Sequence, residues 1–141
     1  MRYHVLEPEV AGGFGGGTVM DRAVHPPEVN SLNFEFDGWL GDVLLESFPC
    51  FIATTDAVRE LQKLSATGVQ FNDFRITKSV QFQNIYPDRV LPKFRWLKVF
   101  GRAGVDDLGL ASDSRLVVSD RVLNVLKPLG ISNALIQDFE P

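Results

Sequence analysis

The sequence predicts an α+β fold, a two-layer sandwich with two helices on one face of a mainly antiparallel sheet. Strand-like segments, either alternating or apolar on both sides, outnumber helical segments along the chain. Two segments show the apolar period of a helix, and each directly follows an apolar strand. With 141 residues, 45% of them hydrophobic, the chain suits a single domain (1–141) around one core.

The first predicted strands lie in the N-terminal half. Residues 2–6, RYHVL, form a short strand candidate. Residues 31–37, SLNFEFD, alternate between apolar and polar side chains, as a half-buried strand does. Residues 48–53 are apolar on both sides and predict a second, more deeply buried strand.

The first helix is predicted near residues 55–66, because Val58 and Leu61 lie on one helical face. Thr54 or Thr55 is the expected N-terminal cap, since a hydroxyl oxygen there accepts a hydrogen bond from a free backbone donor. The change of period after residue 53 therefore marks a strand that runs directly into a helix.

The C-terminal half combines strands, a loop and a second helix. The helix is predicted near residues 119–129, with Ser119 or Asp120 as its cap. Residues 103–114 are rich in Gly, Asp and Ser and predict a loop. The other apolar or alternating segments predict strands at 69–76, 78–84, 94–100, 115–118 and 133–139.

Two segments of the chain resemble each other. FIATTDAVRELQKL (51–64) and LVVSDRVLNVLKPL (116–129) each combine an apolar strand, a hydroxyl residue, an Asp and a helix. They predict two matching strand–helix–strand units, which arise either by duplication or by convergent use of the same capping residues. In both, the Asp is expected to serve the positive end of the helix. The alignment pairs Thr55 with Ser119, Asp56 with Asp120, Val58 with Val122, and Leu61 with Val125.

A glycine cluster runs from Gly12 to Gly17, with five glycines in six positions. A phosphate-binding loop needs a lysine, and the first lysine is Lys63. A dinucleotide fingerprint needs glycine at position 18, where Thr18 stands. The cluster therefore predicts a flexible loop, with Phe14 as an anchor or exposed tip, and no nucleotide cofactor.

The sequence carries no recognisable catalytic or metal-binding motif. The chain has two histidines, one cysteine and none of the HExxH, CxxC or GxSxG patterns. Cys50 lies in an apolar run and is expected to be a buried small hydrophobe. We therefore expect a protein that is not an enzyme and has no cofactor or metal. Without a signal-peptide pattern or a membrane-spanning apolar run, a cytoplasmic protein with no membrane attachment is expected.

Charge is unevenly distributed along the chain. The net charge is −4, yet residues 75–102 hold seven basic residues and one acidic residue. Five aromatic residues are interleaved with these cations, a composition that suits single-stranded nucleic acid. The alternative is that the cations pair with the acidic flanking segments. A nucleic-acid-binding module using 75–102 is thus the second functional hypothesis.

The C-terminal third carries a family resemblance. Residues 94–139, FRWLKVFGRAGVDDLGLASDSRLVVSDRVLNVLKPLGISNALIQDF, resemble a family of bacterial immunity proteins from polymorphic toxin systems. The opening MRYHVL is also similar to that family. The resemblance implies an α+β protein that binds and neutralises a cognate toxin. It implies no catalytic residues, and the sequence leaves self-association open.

An immunity protein is expected to bind its toxin through charge-complementary contacts. The basic stretch and the acidic pair beside it are the candidate patches, and only a few residues separate them. The acidic pair has an alternative interpretation as a solvated turn. The predicted partner-binding residues are Arg89, Lys93, Arg95, Arg102, Asp106 and Asp107.

Overall fold

A computed structural model describes residues 2–140 and confirms the α+β class, with mainly antiparallel strands and three helices. The helices are α1 (Thr55–Lys63), α2 (Val80–Ile85) and α3 (Asp120–Leu129). The strands are β1 (Tyr3–Glu7), β2 (Gly12–Phe14), β3 (Val19–Asp21), β4 (Glu28–Ser31), β5 (Asn33–Phe36), β6 (Leu44–Ser47), β7 (Cys50–Thr54), β8 (Val69–Asn72), β9 (Arg75–Lys78), β10 (Phe94–Val99), β11 (Leu108–Leu110), β12 (Leu116–Ser119) and β13 (Leu135–Asp138).

Two four-stranded antiparallel sheets organise the molecule. The terminal sheet has the order β11-β12-β1-β13, and the central sheet has the order β6-β7-β10-β8. In the terminal sheet, α3 connects β12 to β13 across β1; in the central sheet, α1 connects β7 to β8 across β10. The two predicted strand–helix–strand units are therefore present, and each encloses a strand from elsewhere in the chain.

The two units match at a constant spacing of 65 residues, one more than the sequence alignment used. The hydroxyl caps are Thr54 for α1 and Ser119 for α3, so Thr55 is not the counterpart of Ser119. The spacing also relates the buried side chains of the helices and the residues with positive φ after them. The pairs are Ala57 with Val122, Val58 with Leu123, Leu61 with Leu126, and Ser65 with Gly130.

Thr54 and Ser119 are the caps among the residues predicted for the two helix starts, and Asp56 and Asp120 make no capping hydrogen bond through their side chains. Both lie in the first helical turn, near the positive end of the helix. The Asp56 carboxylate pairs with Arg59 instead, and the Asp120 carboxylate contacts His4. The hydroxyl at the end of each strand already occupies the capping position.

The structure adds layers to the predicted sandwich. Helices α1 and α3 pack on each other and on strands of their own units, and side chains from both sheets join them in one core. The opposite face of β7 and β10 packs on β5 and α2 in a second core that is rich in aromatic residues. Because alternate side chains of a strand point to opposite faces, β7 and β10 serve both cores.

Local elements differ from the sequence prediction in four places. A strand is predicted at 78–84, but residues 80–84 belong to α2, which the Ser79 hydroxyl caps and the buried Phe82 anchors. The glycine cluster is not simply a loop, because Gly12–Phe14 forms β2 and pairs with β5. The predicted strand at 31–37 is divided between β4 and β5, and the loop at 103–114 contains β11. Among residues 2–140, no helix has the length and apolar character needed to cross a membrane.

Candidate interaction site

A buried carboxylate fixes the turn between β5 and β6. Glu9 is 5% exposed, and its Oε2 accepts a hydrogen bond of 2.7 Å from the backbone N–H of Leu40. Its Oε1 accepts from the backbone N–H of Asp42 at 3.2 Å. Trp39 Nε1 donates to the carbonyl oxygen of Asp42 at 2.9 Å. The turn therefore presents Trp39 and Leu40 in a fixed position.

The same turn is fastened to the segment that follows α3. The buried Asp42 carboxylate accepts hydrogen bonds from the backbone N–H and from Nδ2 of Asn133, both at 2.9 Å. Because charged acceptors make stronger hydrogen bonds than neutral ones, these contacts firmly join the turn to the segment after α3.

Arg89 lies over two aromatic rings beside this turn. Its guanidinium carbon is 5.1 Å from the Trp39 ring centre and 5.7 Å from that of Tyr86. Tyr86 follows α2, and its ring is 5.5 Å from the ring of the buried Phe82. The Lys78 ammonium donates to the carbonyl oxygen of Arg89 at 2.8 Å. Cation–π attraction and this backbone contact together restrict the position of the guanidinium.

An open cleft of about 320 Å³ lies next to these rings, lined by residues of the turn, by Tyr86 and by the chain from Glu9 to Gly12. Val10 and Leu40 on its rim are each 71% exposed, and Tyr86 is 38% exposed. We call Val10, Trp39, Leu40, Tyr86 and Arg89 the aromatic–arginine surface. Trp, Tyr and Arg dominate the binding energy of protein interfaces, so this composition is typical of an interaction site.

The predicted partner-binding residues lie in three separate places. Arg89 belongs to the aromatic–arginine surface. Lys93 and Arg95 lie at the start of β10, where the Arg95 guanidinium is 3.4 Å from the exposed Asp73 carboxylate. Arg102 follows the other end of β10, and its backbone N–H donates to Oδ2 of Asp106 at 2.7 Å.

Asp107 is buried inside the protein rather than displayed. Arg121 donates to both of its carboxylate oxygens, at 2.9 and 2.7 Å. The Ser119 hydroxyl donates to Oδ1 at 2.8 Å, and the Thr67 backbone N–H donates to Oδ2 at 3.0 Å. The Arg121 hydrogen bonds, aided by the other donors, hold the pKa of Asp107 well below its usual range. Asp107 thus joins elements of the fold and offers little surface to a partner.

The basic stretch at 75–102 does not form one patch. Arg95 and Lys98 are an odd number of residues apart on β10, so they lie on opposite faces. The Lys98 ammonium lies 4.4 Å from the ring centre of the buried Trp96. Phe82 and Phe94 are also buried, which leaves Tyr86 and Phe100 as the exposed aromatic residues of this stretch.

Outside the aromatic–arginine surface, the described residues also form two clefts beside β4 and include the free thiol of Cys50. Clefts of about 260 and 370 Å³ flank β4 and share Trp96 and Lys98. Cys50 lines the first of these clefts, but burial raises the pKa of its thiol to about 12, so the thiol stays protonated. Within residues 2–140, no three His, Cys, Asp or Glu side chains are grouped so as to hold a metal ion.

His4 lies between two carboxylates. Its Nε2 is 2.5 Å from Oδ1 of Asp120, and its Nδ1 is 3.7 Å from Oδ1 of Asp138. The hydrogen bond with His4 lowers the pKa of Asp120. These contacts join β1, α3 and β13, so the cluster has a structural role at the edge of the terminal sheet.

The sequence analysis missed most of the aromatic–arginine surface. The segment FDGWLGD (36–42) places two bulky apolar residues in a turn of Asp and Gly, a signal of side chains displayed rather than buried. Nothing in the sequence indicates that Glu9 anchors this turn, because 31 residues separate it from Leu40.

No protein-family model matches the chain, and no curated protein is significantly similar to it in sequence.

Proposed function

We propose that this protein inhibits a bacterial toxin by binding it, without catalysing a reaction. The observation that carries the proposal is the aromatic–arginine surface, where Arg89 lies over Trp39 and Tyr86 beside the exposed Leu40. Such residues contribute most of the energy at protein interfaces. Glu9 and Lys78 hold the surface in place before a partner arrives, which reduces the conformational entropy lost on binding.

The class of partner comes from the sequence. Residues 94–139 resemble immunity proteins of polymorphic toxin systems, and members of that family act by binding a toxin. The side chains of the aromatic–arginine surface indicate which groups a toxin would place against it. The Arg89 guanidinium suits a carboxylate, and the cleft beside Trp39 suits an apolar side chain. The matching toxin surface therefore combines an acidic residue with a protruding apolar residue.

The geometry favours the alternative function, nucleic-acid binding, less well. A nucleic-acid groove needs cations along one path with open aromatic faces between them. Here Arg95 and Lys98 lie on opposite faces of β10, and Trp96 is covered by the core and by Lys98. Retention on immobilised single-stranded DNA that weakens with salt would favour this alternative.

Co-expression tests the proposal. A toxin gene found beside the gene of this chain is expressed in cells together with the parent protein or with the variant Leu40→Asp/Arg89→Glu. Leu40 is largely exposed, so the variant should fold. We expect the parent to protect the cells and the variant to bind purified toxin about 100-fold more weakly or worse.

The matched control is Val24→Asp/Arg22→Glu, which makes the same kinds of change at two exposed residues between β3 and β4. The control should protect as the parent does. If Leu40→Asp/Arg89→Glu protects and binds like the parent, the aromatic–arginine surface is not the interface. If the parent gives no protection and does not bind the toxin, the proposed function is wrong.

A further inference from the structure

The edge strand β13 is exposed along its whole length. It pairs with β1 on one side only, and each of its four residues is exposed. Leu135 is 62% exposed and Ile136 is 38% exposed. We infer that β13 pairs with β13 of a second copy of this chain, in antiparallel orientation, so that two terminal sheets join into one. This inference does not depend on the proposed function.

The register of β13 against β1 identifies its free backbone groups. The backbone N–H of Phe139 donates to the carbonyl oxygen of Tyr3. In an antiparallel pair, hydrogen-bonded and non-hydrogen-bonded positions alternate along the strand. Gln137 and Leu135 therefore also point their backbone groups at β1, whereas the N–H and C=O groups of Ile136 and Asp138 point away from the sheet.

The edge strands β6 and β11 are protected by backbone from elsewhere. For β6, the backbone N–H of Glu46 donates to the carbonyl oxygen of Glu9. For β11, Leu110 forms a β-bridge with Arg102, and the Leu108 N–H donates to the carbonyl oxygen of Thr67. Native proteins cover or charge their sheet edges because open edges recruit other strands.

The counterpart of β13 in the other unit is β8, and a charged side chain lies against its end. The Arg95 guanidinium donates to the carbonyl oxygens of Phe71 and Asn72. The 65-residue spacing relates β8 to β13. It also relates Ala53, which pairs with Arg95 on β10, to Val118, which pairs with His4 on β1. His4 therefore has the position in the terminal sheet that Arg95 has in the central sheet. His4 turns to Asp120 instead, so β13 lacks the corresponding protection.

A second copy fits this edge because the edge is complementary to itself. With Gln137 opposite Gln137 of the second copy, Ile136 and Asp138 lie opposite each other and exchange all of their outward backbone hydrogen bonds. Leu135 then lies opposite Phe139, which gives an apolar pair on one face. No two like charges are placed opposite each other.

The charges beside the strand support the same arrangement. Lys127 lines an apolar cleft of about 260 Å³ together with Ile136, and it forms no salt bridge within residues 2–140. In the proposed pairing, Asp138 of the second copy lies opposite Ile136, on the face that carries this cleft. Lys127 then lies near the Asp138 carboxylate of the second copy, which also pairs with Arg2 of its own chain, and Ile136 loses exposure.

Sedimentation equilibrium of the full chain, from about 1 µM to about 1 mM, tests the pairing. We expect a reversible dimer in the parent. Ile136→Pro removes an outward N–H that β1 does not use, and Leu135→Lys places a charge on the outer face. Each should raise the dimer dissociation constant at least about tenfold. The control Val90→Lys, at a residue that is 85% exposed elsewhere, should not change it.

Cysteine cross-linking tests the register. Gln137 opposite its own copy is a non-hydrogen-bonded pair with a Cα separation of about 4.5 Å, which a disulfide can span. Gln137→Cys should therefore form an intermolecular disulfide readily, and Leu135→Cys should not, because Leu135 faces Phe139.

Three results would overturn the inference. The first is a parent chain that stays monomeric up to about 1 mM, including the case in which its edge binds an extended segment of another protein instead. The second is a dimer that Ile136→Pro and Leu135→Lys leave intact. The third is a dimer that Leu135→Cys cross-links and Gln137→Cys does not.

Discussion

At the scale of single residues, Asp107 is predicted from the sequence to lie at the surface, but in the structure it is buried and stabilises the fold through hydrogen bonds. It follows Asp106 in a polar segment, yet it is 6% exposed and is bound by Arg121, Ser119 and Thr67. Asp106 remains partly exposed and caps the turn through the Arg102 N–H. Neighbours in sequence thus have different roles because only one of them faces the core.

Replacing Asp107 with Asn should destabilise the fold by about 2–3 kcal/mol, because the buried hydrogen bonds to a charged acceptor are weakened. Urea denaturation at pH 7 measures the change. The control Asp106→Asn, which affects one backbone contact, should cost about 1 kcal/mol or less. Equal losses in the two variants would contradict the role given to Asp107.

The pH dependence follows from the lowered pKa of Asp107. A carboxylate whose pKa is lower in the folded state stabilises the fold above its unfolded pKa, near 3.9, and this contribution is lost as the pH falls towards the folded pKa. The stability gap between the parent and Asp107→Asn should therefore be constant above about pH 5 and should narrow below about pH 4. Urea titrations across this range give the gap directly. A gap that widened on acidification would have the wrong sign.

At the scale of elements, the two strand-to-helix junctions have the same hydroxyl cap, but the two caps differ in their other hydrogen bonds. The Thr54 hydroxyl accepts from the Ala57 N–H, and the Ser119 hydroxyl accepts from the Val122 N–H. Ser119 is fully buried and also donates to Asp107. The cap of α3 is therefore part of a hydrogen-bond network, whereas the cap of α1 acts alone.

Thr54→Ala should cost about 1 kcal/mol, the usual loss for one capping bond. Ser119→Ala should cost more, about 2 kcal/mol or above, because it also removes a donor from the buried Asp107 carboxylate. Thermal and urea unfolding of the two variants measure the difference. Asp56→Ala is the control, since that carboxylate is exposed and makes no capping bond. A larger loss for Asp56→Ala than for Thr54→Ala would contradict the capping role given to Thr54.

The start of the glycine cluster forms a strand because the backbone of β5 passes very close to Gly12. A Cβ at Gly12 would overlap the carbonyl oxygen of Glu35 on β5, whereas a Cβ at Gly13 would meet open space. Gly12→Ala should therefore destabilise the protein by about 1–3 kcal/mol, and Gly13→Ala should be close to neutral. Unfolding midpoints of the two variants test this pair. If Gly12→Ala were neutral, β2 would not be packed on β5 as described.

At the scale of the whole molecule, the two units are tied to each other in a reciprocal way. Asp107, before β12, binds the Thr67 backbone after α1, and Asp42, before β7, binds the Asn133 backbone after α3. Asp42 and Asp107 are themselves 65 residues apart, and both are buried. Each unit thus holds the segment that follows the helix of the other, around a shared core.

This arrangement predicts that the chain unfolds in one cooperative step rather than unit by unit. Far-UV circular dichroism and the fluorescence of Trp39 and Trp96 should give coincident urea transitions. Asp42→Asn should shift both curves together, because the contact that it weakens joins the units. A variant in which the two signals separate would show that the units unfold independently.

The sequence by itself determined the α+β class, the two strand–helix–strand units and the hydroxyl residues at the helix starts. These features are local: an apolar period, a capping residue and a turn residue act within a few positions of one another. The family resemblance and the charge distribution suggested a partner class, and they placed Arg89 among the predicted partner-binding residues. They did not show which cations share a surface.

Tertiary structure alone decided the features that depend on distant segments. Phe82 draws residues 80–85 into a helix over the aromatic core, and Gly12 becomes part of a strand because β5 passes so close to it. The aromatic–arginine surface exists because Glu9 reaches Leu40 and Arg89 reaches Trp39 across many intervening residues. Burial and hydrogen bonding between such segments depend on the complete packing of the chain, which local sequence patterns do not encode.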